Sequence, residues 1–215
     1  VVPRGELTML LGRNGAGKTT TLRTIMGLWP ASQGKISFDA QDITALNTPD
    51  IAQKNIAYVP ENMGIFADLT VKENMLLAAR NAHHSAQMDE ARLQWIFELF
   101  PAVYQFWNHP AGKLSGGQKQ MLAVSRAIVE PRDLLIVDEP SKGLAPAIIQ
   151  NMIDAFLQLK ASGVTILLVE QNIHFAQQLG DTVAVIDDGR VVHAGSMKAL
   201  ADDKALQQSL LGLAL

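Results

Sequence analysis

Five short runs of apolar residues recur along the chain, each bounded by turn-forming or polar residues. Runs of this length and composition are typical of buried β-strands. Between several of them, apolar residues recur at the three- and four-residue spacing of an α-helix. Strands that alternate with helices predict a mainly parallel sheet covered on both faces. The five runs are residues 7–11, 56–59, 134–137, 165–169 and 183–186.

Two further strands are predicted from turn residues, and we expect antiparallel strands at the edges of the sheet. The turn Ser32-Gln33-Gly34 leads into a strand at 35–38. Asp188-Gly189 is a hairpin sequence that joins the run at 183–186 to a strand at 190–194. Beyond Met197 the pattern predicts two short peripheral helices.

The stretch from about residue 69 to 110 interrupts the alternation of strands and helices. It holds helical patterns at 71–79 and 89–100, with no convincing strand between them. We therefore predict one α/β domain over residues 1–215, with an α-helical subdomain inserted at 69–113. Because the sequence begins almost at its first strand, we expect that further sequence belonging to the fold precedes Val1.

Aromatic residues are concentrated within this helical insertion. Aromatic side chains dominate core burial, so we expect them to form a small local core for the subdomain. A docking surface for another protein is the alternative. The residues are Trp95, Phe97, Phe100, Tyr104, Phe106 and Trp107.

Composition narrows the class of protein. The chain has 215 residues, of which 48% are hydrophobic and 18% charged, as expected of a globular protein. Its formal charge of −3 offers no electrostatic basis for binding nucleic acid or an anionic membrane. The sequence has no cysteine, which excludes disulfides and thiolate metal sites and is compatible with a reducing cytoplasm. No apolar run approaches the length of a membrane span.

The histidines give no indication of a metal site. His83-His84 is interpreted as a solvated helix end. His109, His174 and His193 are isolated and lack the spacing of zinc ligands, so none of the five is assigned to a metal.

The segment GRNGAGKT matches G-x-x-x-x-G-K-[ST] and lies between a predicted strand and a predicted helix, the context of a phosphate-binding loop. Its backbone N–H groups and the N-terminus of the following helix would surround phosphate oxygens. Lys18 would reach the β- and γ-phosphates of a nucleotide, and the Thr19 hydroxyl would bind Mg²⁺. A glycine-rich turn without a ligand is the alternative. The predicted nucleotide-binding residues are Gly12, Arg13, Asn14, Gly15, Ala16, Gly17, Lys18, Thr19 and Thr20.

Two carboxylates follow the apolar run at 134–137. Ligands of parallel sheets bind beyond the carboxyl ends of the strands, so Asp138 and Glu139 should face the phosphate loop. Asp138 would hold Mg²⁺, and Glu139 would polarise the water that attacks the γ-phosphorus. The alternative is an acidic pair that only caps the next helix, which the following Pro140 and Ser141 would allow.

The segment Leu114-Ser115-Gly116-Gly117-Gln118 precedes this acidic strand and opens a predicted helix, with Ser115 as its N-cap. Taken alone, it is only a capped helix start. A helix start with two glycines and a free hydroxyl is also suited to bind an anion. The chain thus has two candidate anion sites, and both could act on one nucleotide.

The order GRNGAGKT, LSGGQ and LLIVDEP resembles the nucleotide-binding domains of ABC ATPases over essentially the whole chain. The resemblance implies an α/β fold with a P-loop NTPase core, a mainly parallel sheet, antiparallel edge strands and an inserted α-helical subdomain. In that family, two domains pair head to tail and sandwich two ATP molecules, with Mg²⁺. By this resemblance Ser115, Gly116, Gly117 and Gln118 would contact nucleotide bound by the partner domain.

Three further segments, VPEN, SKGLAP and LLVEQN, resemble the second ATPase subunit of high-affinity branched-chain amino acid importers. ATPases of urea and short-amide importers are very similar and remain an alternative. The resemblance implies a second, non-identical ABC ATPase, integral membrane permease subunits, a periplasmic or extracellular solute-binding protein, and no nucleic acid. It also implies a peripheral position on the cytoplasmic face of the inner or plasma membrane.

The chain departs from the usual family pattern at three positions. Glu61 stands where the family usually has glutamine, Gln171 where it has a switch histidine, and Ala145 where it has aspartate. Gln171 can hydrogen-bond a γ-phosphate or a water, but it cannot become an imidazolium. Glu61 can still be a ligand in the metal shell. Because Lys18 and Glu139 remain, we expect an active but slow ATPase with Gln171 in the site; a regulatory nucleotide site beside a faster partner is the alternative.

The main hypothesis is a transport ATPase in which ATP binding closes a dimer and hydrolysis reopens it. The helical insertion and residues 61–66 would form the groove that receives a short helix from the membrane subunit. A soluble ABC ATPase acting on nucleic acid or ribosomes is disfavoured by the lack of a basic patch or tandem domain. LSGGQ and the absence of Asn-Lys-x-Asp disfavour a kinase or GTPase. No residue is assigned to the family's adenine-stacking aromatic, which lies upstream of the phosphate loop.

Overall fold

A six-stranded sheet in the order β4-β5-β6-β1-β7-β8 forms the centre of the computed structural model, which describes residues 1–79 and 88–212. The first five strands in this order are parallel, and β8 pairs antiparallel with β7. The predicted mainly parallel sheet and the predicted hairpin are therefore confirmed. His83 and His84 lie outside the described residues. The strands are β1 (Leu7–Leu11), β2 (Ser37–Phe38), β3 (Gln41–Asp42), β4 (Ile56–Val59), β5 (Leu134–Asp138), β6 (Thr165–Glu170), β7 (Thr182–Asp187) and β8 (Arg190–Ser196).

Helices cover both faces of this sheet, and a 3₁₀ turn at Ala111–Lys113 precedes one of them. Within the described residues, none of the helices is both long enough and apolar enough to cross a bilayer. The helices are α1 (Lys18–Ile25), α2 (Thr48–Gln53), α3 (Val71–Ala78), α4 (Glu90–Leu99), α5 (Pro101–Gln105), α6 (Gly116–Ala127), α7 (Pro146–Ala161), α8 (Ile173–Leu179), α9 (Met197–Asp202) and α10 (Lys204–Leu211).

Side chains of the central strands alternate between two apolar clusters, as the two-residue period of a strand requires. In β5, Leu135 and Val137 belong to the larger cluster, whereas Leu134 and Ile136 belong to the smaller one. Helices α6, α7 and α8 contribute to the larger cluster, and α1 and α2 to the smaller. All residues of β1, β5 and β6 are buried, as expected of parallel strands covered on both faces.

The strand predicted at 35–38 is shorter than expected and lies outside the main sheet. Only Ser37–Phe38 is extended, and it pairs antiparallel with β3 in a separate two-stranded ribbon. Asp39 and Ala40 close this ribbon with φ values of 48° and 61°. Two residues of positive φ form the tight turn whose twist matches a two-stranded hairpin, so the chain reverses before the strand can extend.

In its described residues, the segment between β4 and β5 holds helices α3 to α6 joined by turns and loops, with no named strand. Thr70 begins α3 with a capping box, in which its hydroxyl accepts from the Glu73 N–H and the Glu73 carboxylate accepts from the Thr70 N–H. Phe100 is buried, and Trp95, Phe97, Phe106 and Trp107 pack against the larger apolar cluster. These aromatic residues therefore extend the main core and do not form a separate local one. Tyr104 differs, because 67% of its surface is exposed.

The sheet register brings the chemically interesting residues to one edge. Leu11, the last residue of β1, lies opposite Glu170, and Asp138 at the end of β5 lies opposite Val169. Loops that follow parallel strands leave at the same edge of the sheet. The phosphate loop, the acidic pair and the segment after β6 therefore begin side by side.

Candidate functional site

The phosphate loop, residues 12–17, connects β1 to α1 at this edge. Gly12 is required by a close approach, because a Cβ there would lie 2.4 Å from the carbonyl oxygen of Ile186 in β7. Gly17, with a φ of 103°, precedes α1 without any side-chain cap, and the first turn of α1 has no acidic residue. The N–H groups at this helix start are therefore not used by a capping side chain, which is the arrangement that attracts an anion.

Lys18 is buried and holds the loop together from inside. Its Nζ donates to the carbonyl oxygens of Gly12 at 2.9 Å and Arg13 at 3.0 Å. The same atom lies 3.6 Å from Oε1 of Glu139. The structure thus brings Lys18 and Glu139, the acid that directly follows β5, into one ion pair.

Asp138 is fully buried at the end of β5. Its Oδ1 has no hydrogen-bond partner among the described residues, and its Oδ2 accepts a long, 3.5 Å hydrogen bond from the Tyr58 hydroxyl. Burial raises the pKa of Asp138, and the nearby Thr19 hydroxyl opposes the shift. Burial and the charge of Asp138 raise the pKa of Tyr58 to about 12. An unpartnered carboxylate oxygen beside a hydroxyl is a donor set that fits Mg²⁺.

Glu139 adopts a left-handed backbone conformation, with a φ of 49°. This conformation is uncommon for a residue with a side chain, and here the Glu139 N–H donates to the Val169 carbonyl at 3.0 Å. The nearly buried carboxylate accepts from Gln171 Nε2 at 2.5 Å. The structure therefore places Gln171, predicted as a site residue, in direct contact with the predicted catalytic carboxylate.

A polar cavity of about 250 Å³ lies beside these groups. Glu61 lines it, and its Oε1 accepts from Lys142 Nζ at 2.5 Å. Lys142 Nζ also lies 3.6 Å from Oε2 of Glu139, and the hydrogen bond and charge of Glu61 raise the pKa of Lys142. Lys142 was not assigned a role from sequence. The cavity is lined by Asn14, Gly15, Gly17, Lys18, Thr19, Thr20, Glu61, Glu139 and Lys142.

Other predicted nucleotide residues lie outside this lining. Ala16 is buried, and its carbonyl accepts from the Gly189 N–H at 2.8 Å. The Arg13 guanidinium lies against Gly212 after α10, because a Cβ on Gly212 would be 2.9 Å from it. Arg13 therefore contributes its backbone to the loop, while its side chain packs on the C-terminal helix.

The LSGGQ segment lies apart from the phosphate cavity of its own chain. Ser115 is the N-cap of α6, and a capping box joins its side chain and backbone to Gln118. Gly117 is packed so closely on α7 that a Cβ would lie 2.6 Å from Ile148 Cγ2. A Cβ on Gly116, in contrast, would meet no atom from the other described parts of the chain within 4 Å. None of these residues lines the cavity described above.

Glu170 is a buried acid for which the sequence analysis assigned no role. Its Oε1 accepts from the Ser141 N–H at 2.9 Å, and its Oε2 accepts from the N–H groups of Gln171 at 3.1 Å and Asn172 at 3.2 Å. A charged residue at the end of the apolar run Leu-Leu-Val was the only indication of it in the sequence. One carboxylate therefore fixes the loops that carry Lys142 and Gln171.

We expect Glu170 to make stability depend on pH, because burial raises its pKa. The unfolded chain then releases this proton at a lower pH than the folded protein. The stabilising contribution is present below the ordinary carboxyl pKa and is lost as pH rises through the raised pKa. Glu170→Gln removes this titrating group. It also lowers the free energy of unfolding by an amount that does not depend on pH, because glutamine forms weaker hydrogen bonds at this position.

Urea unfolding from about pH 4 to about pH 9 measures this effect. The free energy of unfolding of the wild-type protein, minus that of Glu170→Gln, should fall as pH rises. A difference that stays constant over this range, or that grows with pH, would contradict the assignment.

A second and larger cavity, of about 630 Å³, opens between the sheet and the helical segment; we call it the helical groove. Arg126 lines the groove. It donates to the Gly64 carbonyl and lies 5.3 Å from the ring centre of Phe66. Arg23 lies over Trp29 at 5.0 Å. The groove is lined by Arg23, Leu28, Trp29, Tyr58, Val59, Pro60, Asn62, Met63, Gly64, Ala78, Ala123, Arg126 and Ala127.

Residues 1–142 match the family model described as ABC transporter. The chain belongs to the ABC transporter family. It is 39% identical to the high-affinity branched-chain amino acid transport ATP-binding protein BraG of Pseudomonas aeruginosa, over 98% of this chain and 90% of that protein. It is also 35% identical to the Nod factor export ATP-binding protein I of Burkholderia lata, over 94% of this chain and 66% of that protein.

A solved structure of the ATP binding subunit of an ABC transporter has the same fold. It superimposes with a TM-score of 0.82 at 30% identity, over 99% of this chain and 87% of that one. The resemblance drawn from the sequence and the predicted P-loop NTPase fold are thus confirmed. This ABC protein is an ATP-binding subunit with ATPase activity. Its relatives include proteins named for methionine import and for Nod factor export, so family membership alone does not identify the solute.

Proposed function

We propose that this ABC protein is an ATP-hydrolysing subunit of an importer for branched-chain amino acids. The convergence of Lys18, Gln171 and Lys142 on the Glu139 carboxylate supports an active ATPase site. The similarity to BraG and the segments VPEN, SKGLAP and LLVEQN favour branched-chain amino acids as the solute. An importer of urea or short amides remains the alternative.

In this proposal the phosphate loop binds the triphosphate of ATP through its backbone N–H groups, and Lys18 turns from the carbonyl oxygens of its own loop to the β- and γ-phosphates. Thr19, Asp138 and Glu61 would hold Mg²⁺, and the unpartnered Oδ1 of Asp138 supports this assignment. Mg²⁺ neutralises charge on the phosphates when bound. All other steps are carried by the chain's own side chains.

Glu139 accepts a proton from the water that attacks the γ-phosphorus. To accept this proton, the carboxylate must keep one orientation toward the water. The Gln171 side-chain amide would hold that orientation by donating to Oε1. Gln171 can hold the carboxylate without changing its own charge in the ordinary pH range. The site is thus proposed to hydrolyse ATP without a histidine at this position.

The LSGGQ segment would act on nucleotide bound by a second ABC ATPase, which we propose to be non-identical to this chain. Ser115, Gly116, Gly117 and Gln118 lie outside the cavity of their own chain, and Gly116 leaves room for close approach of another molecule. ATP between the two subunits would favour the closed pair, and hydrolysis would release it. Such a change of population is how ATP would drive transport.

The helical groove is the proposed docking site for a short helix of an integral membrane permease subunit. The groove is lined by Arg126 and by the exposed apolar side chains of Leu28 and Trp29, and exposed Phe66 lies beside it, against Arg126. Exposed apolar residues around a cavity are typical of protein interfaces. The subunit would lie at the cytoplasmic face of the membrane, with a solute-binding protein on the opposite side and no nucleic acid partner.

Uptake into proteoliposomes tests the proposed solute. The subunit is reconstituted with permeases, the second ATPase and a binding protein encoded beside it, and labelled leucine or urea is supplied. We expect ATP-dependent uptake of leucine with little uptake of urea. ATP-dependent uptake of urea alone would replace the proposed solute with the alternative.

We expect Phe66→Asp to abolish co-purification of the permease while leaving MgATP affinity unchanged. Phe66 is 51% exposed beside the groove and does not line the phosphate cavity. The substitution removes the exposed ring and introduces a charge that loses its water when the permease docks, which costs on the order of a few kcal/mol. Pull-down of the tagged complex measures the loss.

Tyr104→Asp serves as the matched control, since Tyr104 is an aromatic residue of 67% exposure on α5, outside the groove. It should leave the complex intact. Equal loss of permease from both variants would show that the helical groove is not the docking site.

A further inference from the structure

Lys142 occupies a central position in the phosphate site although it belongs to neither the phosphate loop nor a strand. It lies in the loop between β5 and α7, three residues after Glu139. Its Nζ contacts Glu61 Oε1 at 2.5 Å and Glu139 Oε2 at 3.6 Å, while 59% of its side chain is exposed. Lys142 therefore bridges two carboxylates that line the same cavity.

The charges around this cavity are unbalanced without Lys142. Three carboxylates, those of Glu61, Asp138 and Glu139, lie at its edge or directly beneath it, and Lys18 is the other lysine in the lining. Like charges placed this close repel one another and an incoming polyphosphate. An ammonium group between Glu61 and Glu139 reduces that repulsion at the point where the phosphates would enter.

We propose that Lys142 is a second phosphate-site cation, which offsets Glu61 and Glu139 and thereby lowers the dependence of nucleotide binding on Mg²⁺. The inference rests on the proposed function, because it assumes that this cavity binds the triphosphate. Lys142 and Mg²⁺ would share Glu61, and both would offset the negative charge that surrounds the phosphates. Each therefore matters most when the other is missing.

This role differs from that of an ordinary surface ion pair. An exposed lysine paired with one carboxylate contributes little and can be removed without consequence for binding. Lys142 instead lines the cavity together with Lys18 and Thr19. Its flexible stem allows Nζ to leave Glu61 and reach a phosphate oxygen when Glu61 turns to the metal.

Titration with a fluorescent ATP analogue, at low salt and in either excess Mg²⁺ or EDTA, tests the proposal. Lys142→Met keeps the length of the side chain and removes its charge. In EDTA we expect its affinity to fall on the order of tenfold, the loss of one charge-assisted contact. In excess Mg²⁺ the loss should stay below about threefold, since the metal offsets the charge of Glu61 and of the phosphates. Lys142→Arg should restore binding in EDTA.

Lys72→Met is the matched control, because Lys72 is an exposed lysine on α3 outside the cavity. An equal loss for Lys142→Met in Mg²⁺ and EDTA, or none in either, would overturn the proposal. A wild-type protein that binds no MgATP would instead refute the proposed function. Urea unfolding of each variant shows whether it is folded, and Lys142→Gln, which also removes the charge, supplies the test should Lys142→Met fail to fold.

Discussion

ATP turnover should fall about 100- to 10,000-fold when Glu139 is replaced by glutamine, because general-base catalysis contributes an effect of this order. Glutamine retains the size of the side chain and an oxygen that can accept from Gln171. It cannot accept the proton of the attacking water. The left-handed backbone at Glu139 is set by the strand behind it, so the substitution should not move the side chain far.

Unlike turnover, the affinity of Glu139→Gln for MgATP should not fall. Glu139→Gln removes a negative charge that faces the phosphates, so MgATP affinity should stay equal to that of the wild-type protein or rise. Turnover is measured by phosphate release in the complex whose second ATPase lacks its own phosphate-loop lysine. This arrangement makes every turnover come from the site of this chain.

Glu98→Gln is the control, since Glu98 is an exposed acid on α4 bonded to Gln94 and distant from the phosphate cavity. It should leave turnover unchanged. Retention of full turnover by Glu139→Gln would remove the proposed base. Absence of turnover in the wild-type site, with MgATP bound, would favour a regulatory nucleotide site.

Replacing Lys18 with methionine should weaken MgATP binding roughly 10- to 100-fold and reduce turnover at least as much. Hydrogen bonds between charged partners contribute about 1.5–3 kcal/mol each, and 1.4 kcal/mol corresponds to a factor of ten in affinity. Methionine keeps the buried stem but provides no ammonium for the phosphates. It also leaves the Gly12 and Arg13 carbonyl oxygens without their donor.

Titration calorimetry with MgATP measures the affinity, and Lys72→Met again serves as the control for loss of one lysine. The two substitutions should be separable: Lys18→Met affects both affinity and turnover, whereas Glu139→Gln affects turnover. Unchanged affinity of a folded Lys18→Met protein would contradict the proposed phosphate contact.

Much of the fold could be predicted from the sequence because its strands are almost entirely apolar. Strand β1 and strand β4 have the predicted limits, and β5 to β8 continue one or two residues further. The extra residues include Asp138 and Glu170. The hydrophobic pattern predicts that each strand ends just before its acidic residue, whereas the observed strands include it. Backbone pairing nevertheless continues to the end of both strands, since Asp138 lies opposite Val169 and Glu170 lies opposite Leu11.

The phosphate loop and the acidic pair were predicted because each has a local sequence pattern. Lys142 and Glu170 were not, since their partners are distant in sequence. Lys142 pairs with Glu61, 81 residues away, and Glu170 accepts from Ser141, 29 residues away. No periodicity or motif indicates which of many lysines or glutamates will meet such a partner. Their roles depend on the order of the strands.

The carboxylate of Glu170 has a consequence for how the site responds to change. Because it accepts from Ser141 on one side and from Gln171 and Asn172 on the other, it ties the chain after β5 to the chain after β6. The energetic effects of substitutions in these two segments should therefore be non-additive. A displacement of the loop that carries Lys142 would therefore also shift Gln171, whose side-chain amide orients the Glu139 carboxylate. This coupling needs no direct contact between Lys142 and Gln171.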